Sequence, residues 1–156
     1  MKKIFIISFI ILVVDIISKR LIISSMIERE SINIINNFFS ITYARNTGVA
    51  FSFLDGYVDL IVIVTLIIIV MMFMYIKNNI RNNIEVVSYS LVIGGAVGNL
   101  LDRIIYGYVV DFLDFNIFGY KAPIFNLADT FIVIGVMMLI IFSRENGGKN
   151  EVNSRK

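Results

Sequence analysis

Long apolar runs broken by isolated polar residues dominate the chain, in place of the stripes or alternations by which a water-soluble domain buries one face. A hydrocarbon core of roughly 30 Å takes about 20 helical residues to cross. Four stretches reach that length, from about Ile4 to Ile23, Tyr57 to Ile76, Val86 to Tyr106 and Ile124 to Phe142. They predict a membrane all-α bundle of four transmembrane helices, one integral-membrane domain over residues 1–142. The first run competes with a signal-peptide reading, because Lys2 and Lys3 precede it. No small-residue cleavage site follows, however, and Asp15 interrupts the run, so an uncleaved anchor is expected.

The segments between spans differ in character. From Ser40 to Leu54 the chain is rich in β-branched and aromatic residues around Asn46-Thr47-Gly48, which predicts a hairpin turning there. Tyr108 to Tyr120 repeats the pattern with Gly119 as the turn, so a small extracytoplasmic β platform is expected. The polar, Gly-containing segment 143–156 reads as a disordered cytoplasmic tail.

Charge placement orients the spans. Eight of the 14 Lys and Arg residues (Lys2, Lys3, Lys77, Arg81, Arg144, Lys149, Arg155 and Lys156) flank one side, which should be cytoplasmic and hold both termini. Only Glu85, Glu145 and Glu151 of the 12 acidic residues fall on that side. Chemistry is therefore expected near the outer face.

Composition narrows that chemistry. Of 156 residues, 58% are apolar and 17% charged, and the mean hydropathy of +0.84 excludes an ordinary soluble enzyme. With no Cys and no His, thiol nucleophiles, iron-sulfur ligation and imidazole bases are excluded. A net charge of +2 gives no basis for nucleic-acid binding. Carboxylates, hydroxyls, amides, Lys and Arg remain.

An ionisable group inside a span costs on the order of 3 kcal/mol on insertion scales, so each needs a partner or a purpose. Asp15 lies in the first span, with Lys19 four residues on as a partner along one helix face. The third span holds Gly94-Gly95-Ala96-Val97-Gly98-Asn99-Leu100-Leu101-Asp102-Arg103. Gly94 and Gly98 form a small-xxx-small packing surface, while Asn99 and Arg103 stack on one face as a polar wall. That wall is either a cluster joining helices or part of a site. Asp111 follows the third span, and Asp129 opens the fourth, where Asn126 and Asp129 have capping-box spacing. Both acids fall near one membrane surface. A converging carboxylate pair in a partly apolar site shares one proton and supplies acid and base together. Such acids also suit a small four-helix proton or cation transporter, the alternative reading.

These blocks occur together and in order: Asp15 with Ser18-Lys19, Asn46 to Phe51, Gly94 to Arg103, Val110-Asp111-Phe112, and Phe125-Asn126-Leu127-Ala128-Asp129. In this the chain resembles the lipoprotein signal peptidases (signal peptidase II), bacterial membrane aspartic peptidases. The resemblance implies Asp111 and Asp129 as the catalytic dyad, with Asp15, Asn46, Asn99, Arg103 and Asn126 orienting dyad and substrate. Gly48 joins them as a residue that could need a positive φ to turn Asn46 inward. It further implies a diacylglyceryl-modified prolipoprotein substrate cut just before its lipid-bearing cysteine. The expected setting is the bacterial cytoplasmic membrane, with the protein a monomer among lipid and without metal or cofactor.

Overall fold

The computed structural model describes residues 1–49, 53–80 and 82–153, with the main chain alone from 143 onward. Four helices and four short strands follow in the order α1 (Lys2–Ser25), β1 (Ser31–Ile35), β2 (Phe39–Asn46), α2 (Val58–Asn79), α3 (Asn83–Tyr106), β3 (Val109–Ile117), β4 (Tyr120–Lys121) and α4 (Leu127–Asn153). Two of the helices, α2 and α3, are long and apolar enough to cross a membrane. The apolar part of α4, Leu127–Phe142, is shorter. Helix α1 has the length but carries Asp15, Lys19 and Arg20 in its second half, and the first two of these point inward and are buried.

Helix α3 is the axis of the fold. Asn82 accepts from the Glu85 N–H at 2.8 Å to start it, and Gly107 at φ 76° returns its N–H to the Arg103 carbonyl to end it. Its glycines let two helices come close. A Cβ on Gly94 would lie 2.8 Å from the Ile11 side chain and the Ser8 carbonyl of α1, and one on Gly95 would strike the Ala128 carbonyl of α4. From the α4 side, a Cβ on Gly135 would lie 2.6 Å from the Ser88 carbonyl. Helix α2 meets this core at Ile76, which packs with Ile4 and Ile93, and at Met72 and Phe73 beside it.

The sheet is antiparallel in the order β1-β2-β3-β4. Its first hairpin turns at residues 36–38, with Asn37 at φ 58°, and not at Asn46-Thr47-Gly48. Asn36 and Asn37 are as turn-prone as Asn46 and Gly48, and pairing with β3 carries β2 on to Asn46 across a register shift between Ile41 and Ala44. The second turn falls at Phe118-Gly119, both left-handed, as the glycine implied. Met26, Tyr43 and Val110 pack together and join the sheet to the end of α1. At the other end of the chain, α4 continues to Asn153 through the segment expected as a disordered tail. Polarity ends an apolar span without ending a helix, and Arg144, Glu145 and Lys149 are ordinary helix formers.

Candidate active site

Asp111 sits on β3 opposite Ala44, which makes Asn46 its diagonal cross-strand neighbour. The Asn46 amide nitrogen donates to Asp111 Oδ2 at 2.9 Å, and its amide oxygen accepts the Gly48 N–H at 3.0 Å. Beyond Asp111, β3 is bridged to the strand-like approach to α4: the Phe112 and Leu113 N–H groups donate to the Phe125 carbonyl, and Phe125 N–H returns to Leu113. That bridge lays Asn126 beside Asp111, and the Asn126 amide donates to Asp111 Oδ1 at 2.7 Å.

Asn126 also caps α4. Its Oδ1 accepts the Asp129 N–H at 2.9 Å while Asp129 Oδ2 accepts the Asn126 N–H at 3.3 Å. The capping box and the meeting of the two acids are therefore one structure, with Asn126 touching both. The second hydrogen of the Asn126 amide goes to Asn99 Oδ1 at 3.1 Å, and Asn99 Nδ2 donates to Asp129 Oδ1 at 2.7 Å. Every amide facing an acid presents a donor, which suits carboxylate oxygens.

Asp111 is 2% exposed, whereas Asp129 is only partly buried. Burial, followed by the negative charge of Asp129, pushes the Asp111 carboxyl from its ordinary 3.8 to about 7, against the lowering effect of the Asn46 and Asn126 donors.

Arg103 is buried, and its Nη2 donates to the Gly48 carbonyl at 2.6 Å. It thus ties the segment after β2 to α3. Among the described residues its Nε is a buried donor without an acceptor. Gly48 is not left-handed, contrary to the turn expected of it; space is what it supplies, since a Cβ there would lie 2.8 Å from the Phe53 carbonyl. Ala50, Phe51 and Ser52, of which the first two belong to the sequence motif, lie outside the described residues.

Asp15 is fully buried and pairs with Lys19 at 2.7 Å, the partner its spacing predicts. Gly98 makes room for that carboxylate, because a Cβ there would collide with Asp15 Oδ2. Sequence reasoning passed over Lys19 and Asp102 as members of the site. Lys19 Nζ also reaches Asp102 at 3.1 Å and Asn99 Oδ1 at 2.9 Å. The signal was present in the i, i+4 and i, i+3 spacings of Asp15 with Lys19 and Asn99 with Asp102, but not the contact between helices. No group of three or more acids able to hold a metal occurs among the described residues.

A helical bundle with a sheet at one end, and two carboxylates joined through one asparagine where they meet, has the framework of a membrane acid-base enzyme. The family model described as signal peptidase (SPase) II matches residues 7–144. The lipoprotein signal peptidase of Staphylococcus haemolyticus is 42% identical over 147 residues, covering 94% of this chain and 93% of that one. That of Halothermothrix orenii is 40% identical over 139 residues, covering 89% and 93%. A solved structure described as a bacterial membrane enzyme superposes with a TM-score of 0.89 at 35% identity, over 96% of this chain and 92% of the other. A second so described gives 0.82 at 37% identity, over 90% and 92%. The chain belongs to the signal peptidase II family of membrane aspartic peptidases.

Proposed function

We propose that this protein removes signal peptides from prolipoproteins, cutting diacylglyceryl-modified precursors immediately before the lipid-bearing cysteine, with Asp111 and Asp129 as the catalytic dyad. The carrying observation is the double bridge of Asn126, bonded to Asp111 by its side chain and to Asp129 by the capping box. In this mechanism the pair shares one proton: Asp111, its carboxyl pushed up to about 7, serves as the acid and Asp129 as the base. Asp129 takes a proton from a water molecule, whose oxygen attacks the scissile carbonyl carbon. Asp111 donates its proton to the carbonyl oxygen as the tetrahedral adduct forms. On collapse the C–N bond breaks, the amine leaves with the proton gained by Asp129, and the adduct hydroxyl returns a proton to Asp111.

The remaining site residues orient this pair. Asn46, Asn99 and Asn126 aim donors at the acids without adding charge, and Asp15 accepts the Ala128 N–H at 3.0 Å where α4 begins. Arg103 sets a permanent positive charge beside both acids to orient a substrate carbonyl or an ionised carboxylate, and Gly48 gives it a docking carbonyl. Four spans in the cytoplasmic membrane, both termini inside and the sheet at the outer face, bring a lipid-anchored peptide bond to the level of the acids. The protein acts as a monomer in this reading and draws on no cofactor. Transport of protons or cations through the same acids is disfavoured by the family relationship.

The test is cleavage of a purified diacylglyceryl-modified precursor by the protein in detergent. Wild type should release the signal peptide, and Asp111→Asn and Asp129→Asn should each be inactive while melting as folded proteins. Full activity of either folded variant removes that residue from the dyad, and ion flux without cleavage in vesicles favours transport.

A further inference from the structure

Asp15 and Asp102 are buried carboxylates that the proposed proton transfers do not use. Each accepts a main-chain N–H one residue before a member of the dyad. Asp15 Oδ1 takes the Ala128 N–H at 3.0 Å, just ahead of Asp129. Asp102 Oδ2 takes the Val110 N–H at 3.1 Å, just ahead of Asp111. These two anchors belong to different helices and share one cation, Lys19, whose ammonium lies 2.7 Å from Asp15 and 3.1 Å from Asp102. A third bond, 2.9 Å to Asn99 Oδ1, fixes the amide that donates to Asp129. An ammonium has three donors, and all three end on groups that hold the dyad or its backbone.

We propose that Lys19 is the positioning residue of the dyad, a single cation of α1 that fixes, through Asp15, Asp102 and Asn99, the backbone and the amide on which Asp111 and Asp129 depend. The proposal rests on the dyad assignment above. Lys19 is 2% exposed, and a buried ammonium is expensive without well-placed partners. A purely adhesive contact between α1 and α3 is met without charge elsewhere, by Ser8 donating to the Ser90 carbonyl at 3.0 Å. The charged groups around Lys19 are Asp15 on its own helix, Asp102 on α3, Asp111 on β3 and Asp129 on α4, and the last three also feel the charge of Arg103. Its positive charge also favours the ionised form of Asp111.

The experiment uses the full chain in detergent with a diacylglyceryl-modified precursor, reading kcat, KM, Tm and the pH at which the rate falls on the alkaline side. Lys19→Met should lower kcat about tenfold or more with KM within about twofold, and should move the alkaline limb to higher pH, because Asp111 loses a cation that favours its ionised form. Asp102→Asn keeps an acceptor for Val110 but leaves Lys19 with surplus positive charge, so the limb should move to lower pH. Ser8→Ala should lower Tm and leave kcat and the limb unchanged in the folded protein. Unchanged kcat in Lys19→Met, or a loss of kcat that follows the folded fraction with no movement of the limb, overturns the proposal. If Lys19→Met does not fold, the limb of Asp102→Asn decides: a shift downward supports the proposal and no shift overturns it. Wild-type protein that does not cleave the precursor overturns the peptidase reading, a failure separable from that of Lys19.

Discussion

Helices α2 and α3 are neighbours in sequence and both are fit to cross a bilayer, yet they are built on opposite rules. In its most apolar stretch α2 is 17% buried, whereas α3 is half buried. Exposed Ile63, Ile67, Val70, Met71 and Met74 cover α2, whose sequence answers mainly to lipid. Helix α3 is constrained residue by residue: Gly94 and Gly98 by α1, Gly95 by α4, Asn99 by Lys19, Asn126 and Asp129, and Arg103 by the Gly48 carbonyl. Hydropathy identifies a membrane helix in both cases and marks α2 as the more apolar, but it does not say what the polar residues of α3 are for. Where the polar and small residues fall is what distinguishes a helix that merely resides in the membrane from one that organises a site.

Substitutions should sharpen that contrast. Asp111→Asn, at the end of the polar network α3 supports, should lower precursor cleavage by about 10³-fold or more, measured as kcat, with Tm within a few degrees of wild type. On α3 itself Gly95→Ala should cost about 1–3 kcal/mol in unfolding free energy, because its methyl group meets main chain of α4, and activity should fall with the folded fraction. Ser8→Ala, which removes one α1–α3 hydrogen bond, should cost about 1 kcal/mol by the same measurement. Met71→Leu on the lipid face of α2 should change neither stability nor rate measurably. An α2 substitution as damaging as Gly95→Ala would erase the distinction between the helices.

The pH dependence has a definite sign. With the Asp111 carboxyl at about 7, raising the pH through neutrality removes the shared proton, so kcat should decline on the alkaline side of pH 7. The same group binds a proton more tightly folded than unfolded. Its contribution to stability is therefore full below the ordinary 3.8 and is lost as the pH rises through about 7. Tm measured from pH 5 to pH 8 should fall more in wild type than in Asp111→Asn.

Much of this organisation is legible in the chain. Run length gives the helices within a few residues except at the C-terminal end of α4, which runs past Phe142 to Asn153, and the turn at Gly119 follows from its glycine. Asp15 with Lys19 follows from helical spacing, and the capping box of Asn126 and Asp129 from its three-residue interval. Other features have no local signature. The first hairpin turns at Asn37 because pairing between β2 and β3, two strands separated by two helices, decides how far β2 extends. Asp102 is adjacent in sequence to Arg103 and invites pairing with it, but its contact is Lys19, more than eighty residues earlier, which only the packing of α1 on α3 brings within reach. Gly48 shows a further limit: its composition signals a turn, whereas what it meets is a lack of room beside Phe53.

In the proposed mechanism Asp111 and Asp129 hold one proton between them at neutral pH. Infrared titration of protonated carboxyl groups tests it most directly, comparing wild type with Asp111→Asn. Wild type should show a protonated-carboxyl component that disappears as the pH is raised through about 7 and that is missing from the variant. A component unchanged by the substitution, or its absence from wild type at pH 6, would contradict it.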